Sequence, residues 1–344
     1  MKAVVVTSPG KVEIRDLPVP VPGPYQALVK TEAACLCNAT DSKLVAGKFP
    51  GVEQYPLALG HESVGIVTQV GEKVRHFKLG DRVVGGLVFN FGDSGVGTGW
   101  GGFCEYTLAA DHEAMKADGV ADAEHGWFEC YEIQTRVDPD IRVPEAVLLC
   151  TWREVYGAFA DFHLKPGMDL LIHGGGAVGL SFVKFARLLG LGRIILVDRN
   201  PGKRERALAL GADAVLTPGS PELAKLCAQR KFDAVIDAVG SEEIINAALG
   251  QIKMGGSICV YGVLSQPAFS LVKDKAPYNF NLLVHQWPTR AEERAAQGPL
   301  CEWIRQGKLN ADDFITHEFP VSDITTALEA VAGRQVIKAL LRYE

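Results

Sequence analysis

A glycine-rich turn between two apolar segments constrains the fold of this 344-residue chain more than any other feature. The apolar run Asp169–His173 leads into Gly174–Gly179, with the sequence GGGAVG. Apolar residues then recur at three- and four-residue spacing, as on one face of a helix. A second apolar run, Arg193–Val197, ends at Asp198. This order of strand, glycine turn, helix and strand predicts a parallel βαβ unit.

The same unit predicts a dinucleotide site. Gly174 allows the tight turn, Gly176 lets a pyrophosphate approach the backbone, and Gly179 lets the helix pack closely on the strand. We expect Ala177 and Val178 to open the helix, where free N–H groups and the positive end of the helix dipole bind phosphate.

The residue that ends the second strand predicts the cofactor. Asp198 can accept hydrogen bonds from the adenosine ribose diol, and its carboxylate would repel a 2′-phosphate, which favours NAD over NADP. Arg199 weakens that preference without reversing it. Strand-like segments alternate with helical patterns from here on, which predicts a doubly wound parallel sheet. These segments are 169–173, 193–197, 214–216, 234–237, 257–261 and 281–284.

Composition excludes several classes of function. The net charge is −6 and no basic tract occurs, so we do not expect a nucleic-acid partner. No segment has the pattern of a membrane span, and the N-terminal MKAVVV is typical of a strand rather than a signal peptide. The eight cysteines are scattered without a disulfide framework. We therefore expect a cytoplasmic protein with free thiols, some of them metal ligands.

The N-terminal part carries candidate zinc ligands. Residues 1–33 alternate apolar and polar side chains between prolines and glycines, which is typical of short strands in an antiparallel sheet. Cys37 follows on a loop, and His61 and Glu62 stand in a Gly-His-Glu triplet farther along. Zinc prefers thiolate and imidazole ligands, and a catalytic site keeps one position open. One cysteine and one histidine are a weak signal alone, since a lone buried cysteine is usually a small hydrophobe.

The order of the motifs along the chain is similar to that of a known protein family. The cysteine loop and GHE are followed by LGDRV at Leu79–Val83, by GGFCEY at Gly101–Tyr106 and by the glycine-rich turn. This order resembles the medium-chain zinc alcohol dehydrogenases, in particular the sorbitol-type and bacterial secondary-alcohol members, and it runs essentially end to end. The resemblance implies a mostly β GroES-like catalytic domain over 1–151 and 288–344 and a Rossmann NAD-binding domain over 152–287.

The resemblance also implies a ligand set. Cys37 matches the first zinc ligand, His61 the second, and Glu62 the acid beside the metal that can enter its coordination shell. The third ligand precedes the linker helix in this family and matches Cys150. Two alternatives stay open for that position: Cys150 is a buried thiol, or Glu154, one helical turn away, competes with it.

This chain departs from the family pattern at several positions. Ala39 stands where relatives often carry a proton-relaying Ser or Thr, so either Thr40 takes over the relay or the proton leaves through water. Ser42 stands where many relatives have a histidine. The loop Phe89–Trp100 contains no cysteine, so the four-cysteine lobe of a structural zinc is absent. We therefore predict one zinc per subunit, the catalytic one.

Two further regions carry predictions about the substrate side. Trp152, Arg153 and Glu154 replace the small residues common beside the third ligand, and we expect them to shape the substrate pocket. The polar pair favours a polyhydroxy or charged substrate. Residues Asp111–Tyr131 have the character of an insertion, which we interpret as a surface loop over the cleft or at a subunit contact rather than a metal site.

The last predictions concern the nicotinamide and the assembly. By resemblance, Val239, Gly262 and Val263 follow the strands on the nicotinamide side. We predict that Ser257–Tyr261 lies at the edge of the sheet and that Val263–Val272 continues the sheet across a two-fold axis. Relatives pair in this way, so we expect a homodimer or a homotetramer.

The predicted function is a zinc-dependent oxidoreductase that transfers hydride between NAD and a secondary alcohol or polyol. A small-molecule alcohol is then the expected partner, with no nucleic acid and no membrane. Two alternatives stay open. A metal-free NAD(P)H-dependent quinone or enone reductase shares this fold but lacks the ligand set, and a catalytically silent dinucleotide-binding protein would fit the altered relay. The sequence does not name the substrate.

Overall fold

The computed structural model describes residues 1–266, 268–334 and 336–344. The chain divides into two compact units: unit 1 comprises Met1–Thr151 and Gln297–Glu344, and unit 2 comprises Trp152–Ala296. The chain was expected to return to the first unit at 288, but it does so at Gln297. Thr289 still belongs to unit 2, since its backbone N–H donates to Asp161 at 2.7 Å.

Strands dominate unit 1, whereas most strands of unit 2 are followed by a helix. The strands are β1 (Lys2–Ser8), β2 (Lys11–Asp16), β3 (Gln26–Cys35), β4 (Leu57–Ala58), β5 (Ser63–Val70), β6 (Arg82–Val84), β7 (Gly97–Thr98), β8 (Tyr106–Ala110), β9 (Thr135–Val137), β10 (Leu170–His173), β11 (Ile194–Val197), β12 (Ala214–Leu216), β13 (Phe232–Asp237), β14 (Ile252–Val260), β15 (Asn281–Val284), β16 (Ile315–Pro320) and β17 (Lys338–Arg342). The α-helices are α1 (Thr40–Val45), α2 (His112–Ala117), α3 (Val143–Asp161), α4 (Ala177–Leu188), α5 (Arg204–Leu210), α6 (Pro221–Gln229), α7 (Glu242–Leu249), α8 (Arg290–Ala295), α9 (Gln297–Arg305) and α10 (Ile324–Ala332).

Unit 1 is built on two sheets. The larger has the order β16-β17-β3-β5-β6-β9, with β8 also paired to β3, and the smaller has the order β2-β1-β4-β7. Most pairs are antiparallel; β16 with β17 and β4 with β7 run parallel. A core of Val4, Val6, Leu36 and Leu57 is almost completely buried between them. The mostly β, GroES-like architecture is confirmed.

Unit 2 is a parallel sheet in the order β12-β11-β10-β13-β14-β15. Every residue of β10 and β11 is buried, as expected for central parallel strands covered on both faces. The strand order reverses between β10 and β13, which is the arrangement of a doubly wound Rossmann sheet. Helix α5 ends at Gly211, whose φ of 115° provides the left-handed cap. The predicted fold of this region is confirmed.

The predicted position of the sheet edge is wrong. Strand β14, which contains Ser257–Val260, carries β15 on its outer side, with Ser257 opposite Asn281 and Val260 opposite Val284. The apolar run of β15 supplies the hydrogen bonds that an edge strand would lack. Residues 263–266 and 268–272 form no strand. The outermost strand is therefore β15.

Helix α3 also begins earlier than expected. Cys150 was expected to precede the linker helix, but the helix starts at Val143 and Cys150 lies inside it. Pro144 is compatible with a first helical turn, and the buried run Ala146–Leu149 contains no helix breaker. The cysteine is consequently held by a regular helix rather than by a loop.

The segment Asp111–Tyr131 is an ordered part of unit 1. Asp111 caps α2 by accepting a hydrogen bond from the backbone of Ala114 at 3.0 Å. Met115 and Tyr131 pack together in a small buried cluster. Within the described residues, no helix is both long and apolar enough to cross a membrane.

Candidate metal centre and dinucleotide site

The strand register of unit 1 brings three distant segments of the chain to one place. Ala34, near the end of β3, pairs with Ser63, the first residue of β5. Cys35 pairs with Leu340 in β17. The residues just beyond β3, just before β5 and at the start of β17 therefore meet at one edge of the larger sheet.

Cys37, His61 and Glu62 lie close enough together at this edge to hold a metal ion, and we call them the metal group. One ligand atom from each residue lies within 4.8 Å of the others. Across residues 1–266, 268–334 and 336–344, this is the one group of three or more His, Cys, Asp or Glu side chains with such spacing. Glu62 is buried, and the other two are half-buried. A thiolate, an imidazole and a carboxylate are the ligand types that zinc takes in proteins, so the residues fit that ion.

Asp41 contacts two members of the metal group. Its Oδ2 accepts a hydrogen bond from the backbone N–H of Cys37 at 2.8 Å, and its Oδ1 lies 3.4 Å from His61 Nδ1. The other ring nitrogen, Nε2, is 3.9 Å from Oε1 of Glu62. A carboxylate behind a histidine orients the ring and raises its basicity as a ligand. Burial opposes the charged imidazole, but Asp41 and Cys37 together raise the pKa of His61 well above its usual value.

Lys338 neutralises the third member. Its Nζ lies 2.7 Å from Oε1 and 2.6 Å from Oε2 of Glu62, and both side chains are buried. The hydroxyl of Thr151 donates to Oε2 at 3.0 Å. Burial opposes the ammonium charge, yet the Glu62 carboxylate holds the pKa of Lys338 above its ordinary value. Glu62 is thus fixed by a buried ion pair and by a hydrogen bond from a neutral hydroxyl.

Sequence reasoning assigned no role to Asp41 or Lys338. A carboxylate four residues after a candidate cysteine ligand was a usable signal for Asp41. Lys338 begins the last strand, and its partner Glu62 lies 276 residues earlier. Only the register of β17 against β3 reveals that contact.

Cys150 lies near the metal group but is not a member of it. Among the described residues, the mutually close set is confined to Cys37, His61 and Glu62. Cys150 is buried in α3, and its Sγ lies 3.8 Å from the carbonyl oxygen of Ser63, the residue that follows Glu62. The ligand role of Cys150 stays a prediction.

The remaining predicted residues of the substrate side occupy different environments. Thr40 is buried at the first position of α1. Trp152 and Arg153 are completely buried in α3. Glu154 is half-buried, and its carboxylate accepts a long hydrogen bond of 3.5 Å from the hydroxyl of Tyr261. Their roles toward a substrate stay predictions.

The glycine-rich turn of unit 2 requires glycine at two positions and leaves open space at a third. Gly174 has φ of 102°, a conformation that favours glycine. A Cβ on Gly179 would lie 1.7 Å from the carbonyl oxygen of Gly174, so helix and turn touch there. A Cβ on Gly176 would meet no atom within 4 Å, which leaves open space at the start of α4. The first N–H groups of this helix, at Ala177 and Val178, have no intrahelical partner and suit an anion.

Asp198 is fixed against the same turn. Its Oδ2 accepts a hydrogen bond from Gly175 N at 2.5 Å, and its Oδ1 accepts one from Asn200 N at 2.7 Å. Lys203 Nζ lies 3.4 Å from Oδ2. Arg199 is exposed. Lys203, which follows the acid by five residues, is a cation at this position that sequence reasoning did not consider.

A buried carboxylate organises the loop after β13. Asp237 accepts hydrogen bonds from the backbone N–H groups of Val239 and Gly240, both at 2.9 Å, and of Ser241 at 2.8 Å. Val239 reaches the glycine turn, since a Cβ on Gly174 would lie 2.7 Å from its Cγ2. This loop and the turn therefore form one continuous surface of unit 2.

The loop after β14 packs against the loop after β13. A Cβ on Gly262 would lie 2.1 Å from the backbone nitrogen of Gly240, and a Cβ on Gly240 would lie 2.5 Å from the carbonyl oxygen of Val263. The structure thus brings together all three residues that the resemblance placed near the nicotinamide. The contact is between backbones, so glycine is required on both sides.

Comparison with known proteins gives matches in both units. Residues 23–119 match the alcohol dehydrogenase GroES-like domain family. Residues 177–288 match the zinc-binding dehydrogenase family. The first match contains Cys37, His61 and Glu62, and the second begins at the first residue of α4.

Relatives match the chain over nearly its whole length. An alcohol dehydrogenase of Cupriavidus necator is 28% identical over 360 residues, which cover 97% of this chain and 96% of that protein. D-arabinitol dehydrogenase 1 of Uromyces fabae is 26% identical and covers 99% of this chain and 97% of its own length. A solved dehydrogenase structure from Sinorhizobium meliloti 1021, bound to NADP, has a TM-score of 0.81 at 23% identity and covers 99% of both chains. Two family matches in the expected order, on a fold with a metal group in one unit and a glycine-rich nucleotide turn in the other, show that this chain belongs to the medium-chain zinc alcohol dehydrogenase superfamily.

Proposed function

We propose that this chain is a zinc-dependent dehydrogenase that oxidises a secondary alcohol or polyol with NAD. The observation that carries the proposal is the metal group, whose three ligand atoms lie within 4.8 Å of one another. The glycine-rich turn with Asp198 supports the cofactor, and the named relatives, an alcohol and an arabinitol dehydrogenase, support the substrate class.

Cys37, His61 and Glu62 would hold one zinc ion, and we propose Cys150 as a further ligand. Bound zinc supplies a Lewis acid that lowers the pKa of an alcohol hydroxyl. The protein's part is positional: Asp41 keeps the imidazole of His61 in one orientation. Lys338 cancels most of the charge of Glu62, so the net charge of the group stays low.

The dinucleotide would bind to unit 2. We propose that the start of α4, from Gly176 to Val178, binds the pyrophosphate and that Asp198 binds the ribose diol. Lys203 beside Asp198 reduces the local negative charge, so the discrimination against NADP rests on geometry as well as on charge. Val239, Gly262 and Val263 would face the nicotinamide, which accepts the hydride.

The substrate proton needs a route away from the metal group. We propose that Thr40 provides it, since its hydroxyl is buried in the first turn of α1, three residues after Cys37. Water is the alternative acceptor. We further propose that the half-buried Glu154 contacts the rest of the substrate and that Trp152 and Arg153, which are completely buried beside it, shape the pocket through packing.

We also propose a homodimer, or a homotetramer built from it, in the cytoplasm. The support is the outermost position of β15 in its sheet, together with the exposed Val284 and Trp287. All eight cysteines are free, as expected in a reducing compartment. Light scattering at micromolar concentration checks the assembly, and a monomer would contradict it.

The test of the function is a screen for reduction of NAD and NADP by the zinc-loaded chain, with secondary alcohols and polyols as substrates. We expect turnover with NAD that exceeds turnover with NADP and that disappears when a chelator removes zinc. Reduction of quinones or enones that survives the chelator would identify a metal-free reductase instead. Nucleotide binding without turnover of any alcohol would identify a silent binding protein.

A further inference from the structure

Trp100 places an aromatic face beside the metal group. The centroid of its indole lies 5.6 Å from the centroid of the His61 ring, and the two planes are tilted by 58°. Phe49 packs edge-on against Trp100, with centroids 5.5 Å apart and planes at 85°. All three rings are partly exposed. An aromatic corner thus stands next to a metal ligand, where a bound molecule can reach it.

The backbone at Trp100 is strained. Its φ of 70° lies in the left-handed region, which L-residues with bulky side chains rarely adopt. Its neighbours fix this path: a Cβ on Gly99 would lie 2.7 Å from Leu57 Cδ1, and a Cβ on Gly101 would lie 2.6 Å from Val88 O. A glycine at position 100 would relieve the strain, yet the chain has its largest side chain there. Strain of this kind is concentrated at functional sites.

The loop that carries Trp100 is bound to the segment that carries His61. Gly99 N donates to Ala58 O at 2.7 Å, and Gly102 N donates to Gly60 O at 2.7 Å. The carbonyl of Trp100 accepts a hydrogen bond from Val88 N at 2.9 Å. Because these bonds flank Trp100 on both sides, the indole keeps a fixed position relative to the ligand ring.

We propose that Trp100, backed by Phe49, is a specificity-determining residue that stacks on a flat face of the alcohol substrate. This inference rests on the proposed function. The face of an indole carries negative charge density and attracts the positive edges of C–H bonds. An aryl ring and the carbon chain of an extended polyol both present such C–H bonds, whereas a three-carbon alcohol presents too little surface. The shared chemistry is a C–H-rich face next to the carbinol carbon.

A purely structural role for Trp100 makes a different prediction. Trp100 also packs on the core that contains Leu36 and Leu57, so its loss could simply loosen unit 1. Such loosening would lower the activity toward every substrate by a similar factor. If Trp100 contacts the substrate, its loss would change the ratio of activities between large and small alcohols. The change would arise mainly from KM.

The test compares Trp100→Leu and Trp100→Phe with the unmutated, zinc-loaded chain. The value of kcat/KM is measured with NAD for 1-phenylethanol, sorbitol and 2-propanol. We expect Trp100→Leu to lower kcat/KM about tenfold for at least one of the two large substrates, through KM, and less than about twofold for 2-propanol. Trp100→Phe, which keeps an aromatic face and most of the packing, should lie between. If kcat/KM falls for 1-phenylethanol, Trp100 stacks on an aryl ring. If it falls for sorbitol, Trp100 stacks on the carbon chain of a polyol.

Trp127→Leu is the matched control. Trp127 also packs on a histidine of unit 1, His112, and the centroids of the two rings are 5.8 Å apart. His112, unlike His61, is not a member of the metal group. Its loss should leave the ratios unchanged, and zinc content should stay at one per chain in all variants. An equal loss for all three substrates in both Trp100 variants would overturn the inference. An inactive unmutated chain would instead refute the proposed function, and this inference with it.

Discussion

The metal group of unit 1 and the glycine turn of unit 2 are built on opposite principles. The turn is six consecutive residues, 174–179, and it works because side chains are missing: two of its glycines leave no room for a Cβ or need a positive φ. The metal group and its supports come from segments as far apart as Cys37 and Lys338, and they work because side-chain charges are present and balanced. The glycine turn therefore depends on steric room, and the metal group depends on electrostatics.

This difference decides which substitutions matter in each unit. In unit 2 the harmful change should be the addition of a methyl group to a crowded glycine, whereas in unit 1 it should be the removal of a charge. The two sites should also fail independently, since each is held by contacts within its own unit. Substitutions in each site test that separation.

Replacing His61 with Ala should abolish turnover while nucleotide binding persists. The imidazole is a proposed zinc ligand, and loss of Lewis-acid assistance should lower kcat at least about a thousandfold. NAD binding to unit 2, followed by nucleotide fluorescence or calorimetry, should stay within about twofold of the unmutated value. Loss of NAD binding in this variant would show that the two sites are not independent.

Replacing Lys338 with Met should be the most destabilising single change near the metal group. It leaves the Glu62 carboxylate buried without its cation, which typically costs about 3–5 kcal/mol. Urea unfolding of the metal-free protein measures the loss. Lys338→Arg keeps the charge, so its free energy of unfolding should fall much less.

The double variant Lys338→Met with Glu62→Gln checks the physical reason. The double variant leaves no uncompensated charge in the interior. Its loss in free energy of unfolding should therefore be clearly smaller than the sum of the losses in the two single variants. Additive losses would mean that the ion pair contributes little and that Lys338 acts by packing alone.

Two glycine variants should separate stability from nucleotide binding in unit 2. Gly179→Ala puts a methyl group 1.7 Å from a carbonyl oxygen and should lower the free energy of unfolding by about 1–3 kcal/mol. Gly176→Ala meets no atom within 4 Å and should leave stability nearly unchanged, but it should weaken NAD binding where the pyrophosphate approaches. Equal stability of the two variants would contradict the steric account of the turn.

Asp198→Ala should affect nucleotide binding and cofactor preference without changing the metal group. Loss of the ribose contact should weaken NAD binding by about 1–3 kcal/mol and narrow the difference between NAD and NADP. Steady-state kcat/KM with each cofactor measures this. Equal values for the two cofactors in the unmutated protein would instead point to Arg199 or Lys203 as the dominant contact.

The contrast between the two sites also explains what the sequence could predict. The six strands of unit 2 and its glycine-rich turn were predicted because apolar runs and glycine positions act over short distances along the chain. Two local predictions were wrong. Nothing in Ser257–Tyr261 indicates that Asn281–Val284 covers it, and the apolar stretch before Cys150 is equally compatible with a helix or a loop.

The supports of the metal group could not be read from the chain. Lys338 meets Glu62 only because β17 pairs with β3 in one particular register. Trp100 reaches His61 only because its loop hydrogen-bonds to Ala58 and Gly60. Ligand types follow from chemistry and motif, but the residues that orient them follow from tertiary pairing.

The zinc content of the purified 344-residue chain tests the central claim most directly. Elemental analysis after zinc loading and extensive dialysis should give one zinc per chain in the unmutated protein and in Trp127→Leu, and almost none in His61→Ala. No zinc in the unmutated protein, two tightly held zinc ions per chain, or one zinc retained by His61→Ala would contradict the account of a single metal site built on Cys37, His61 and Glu62.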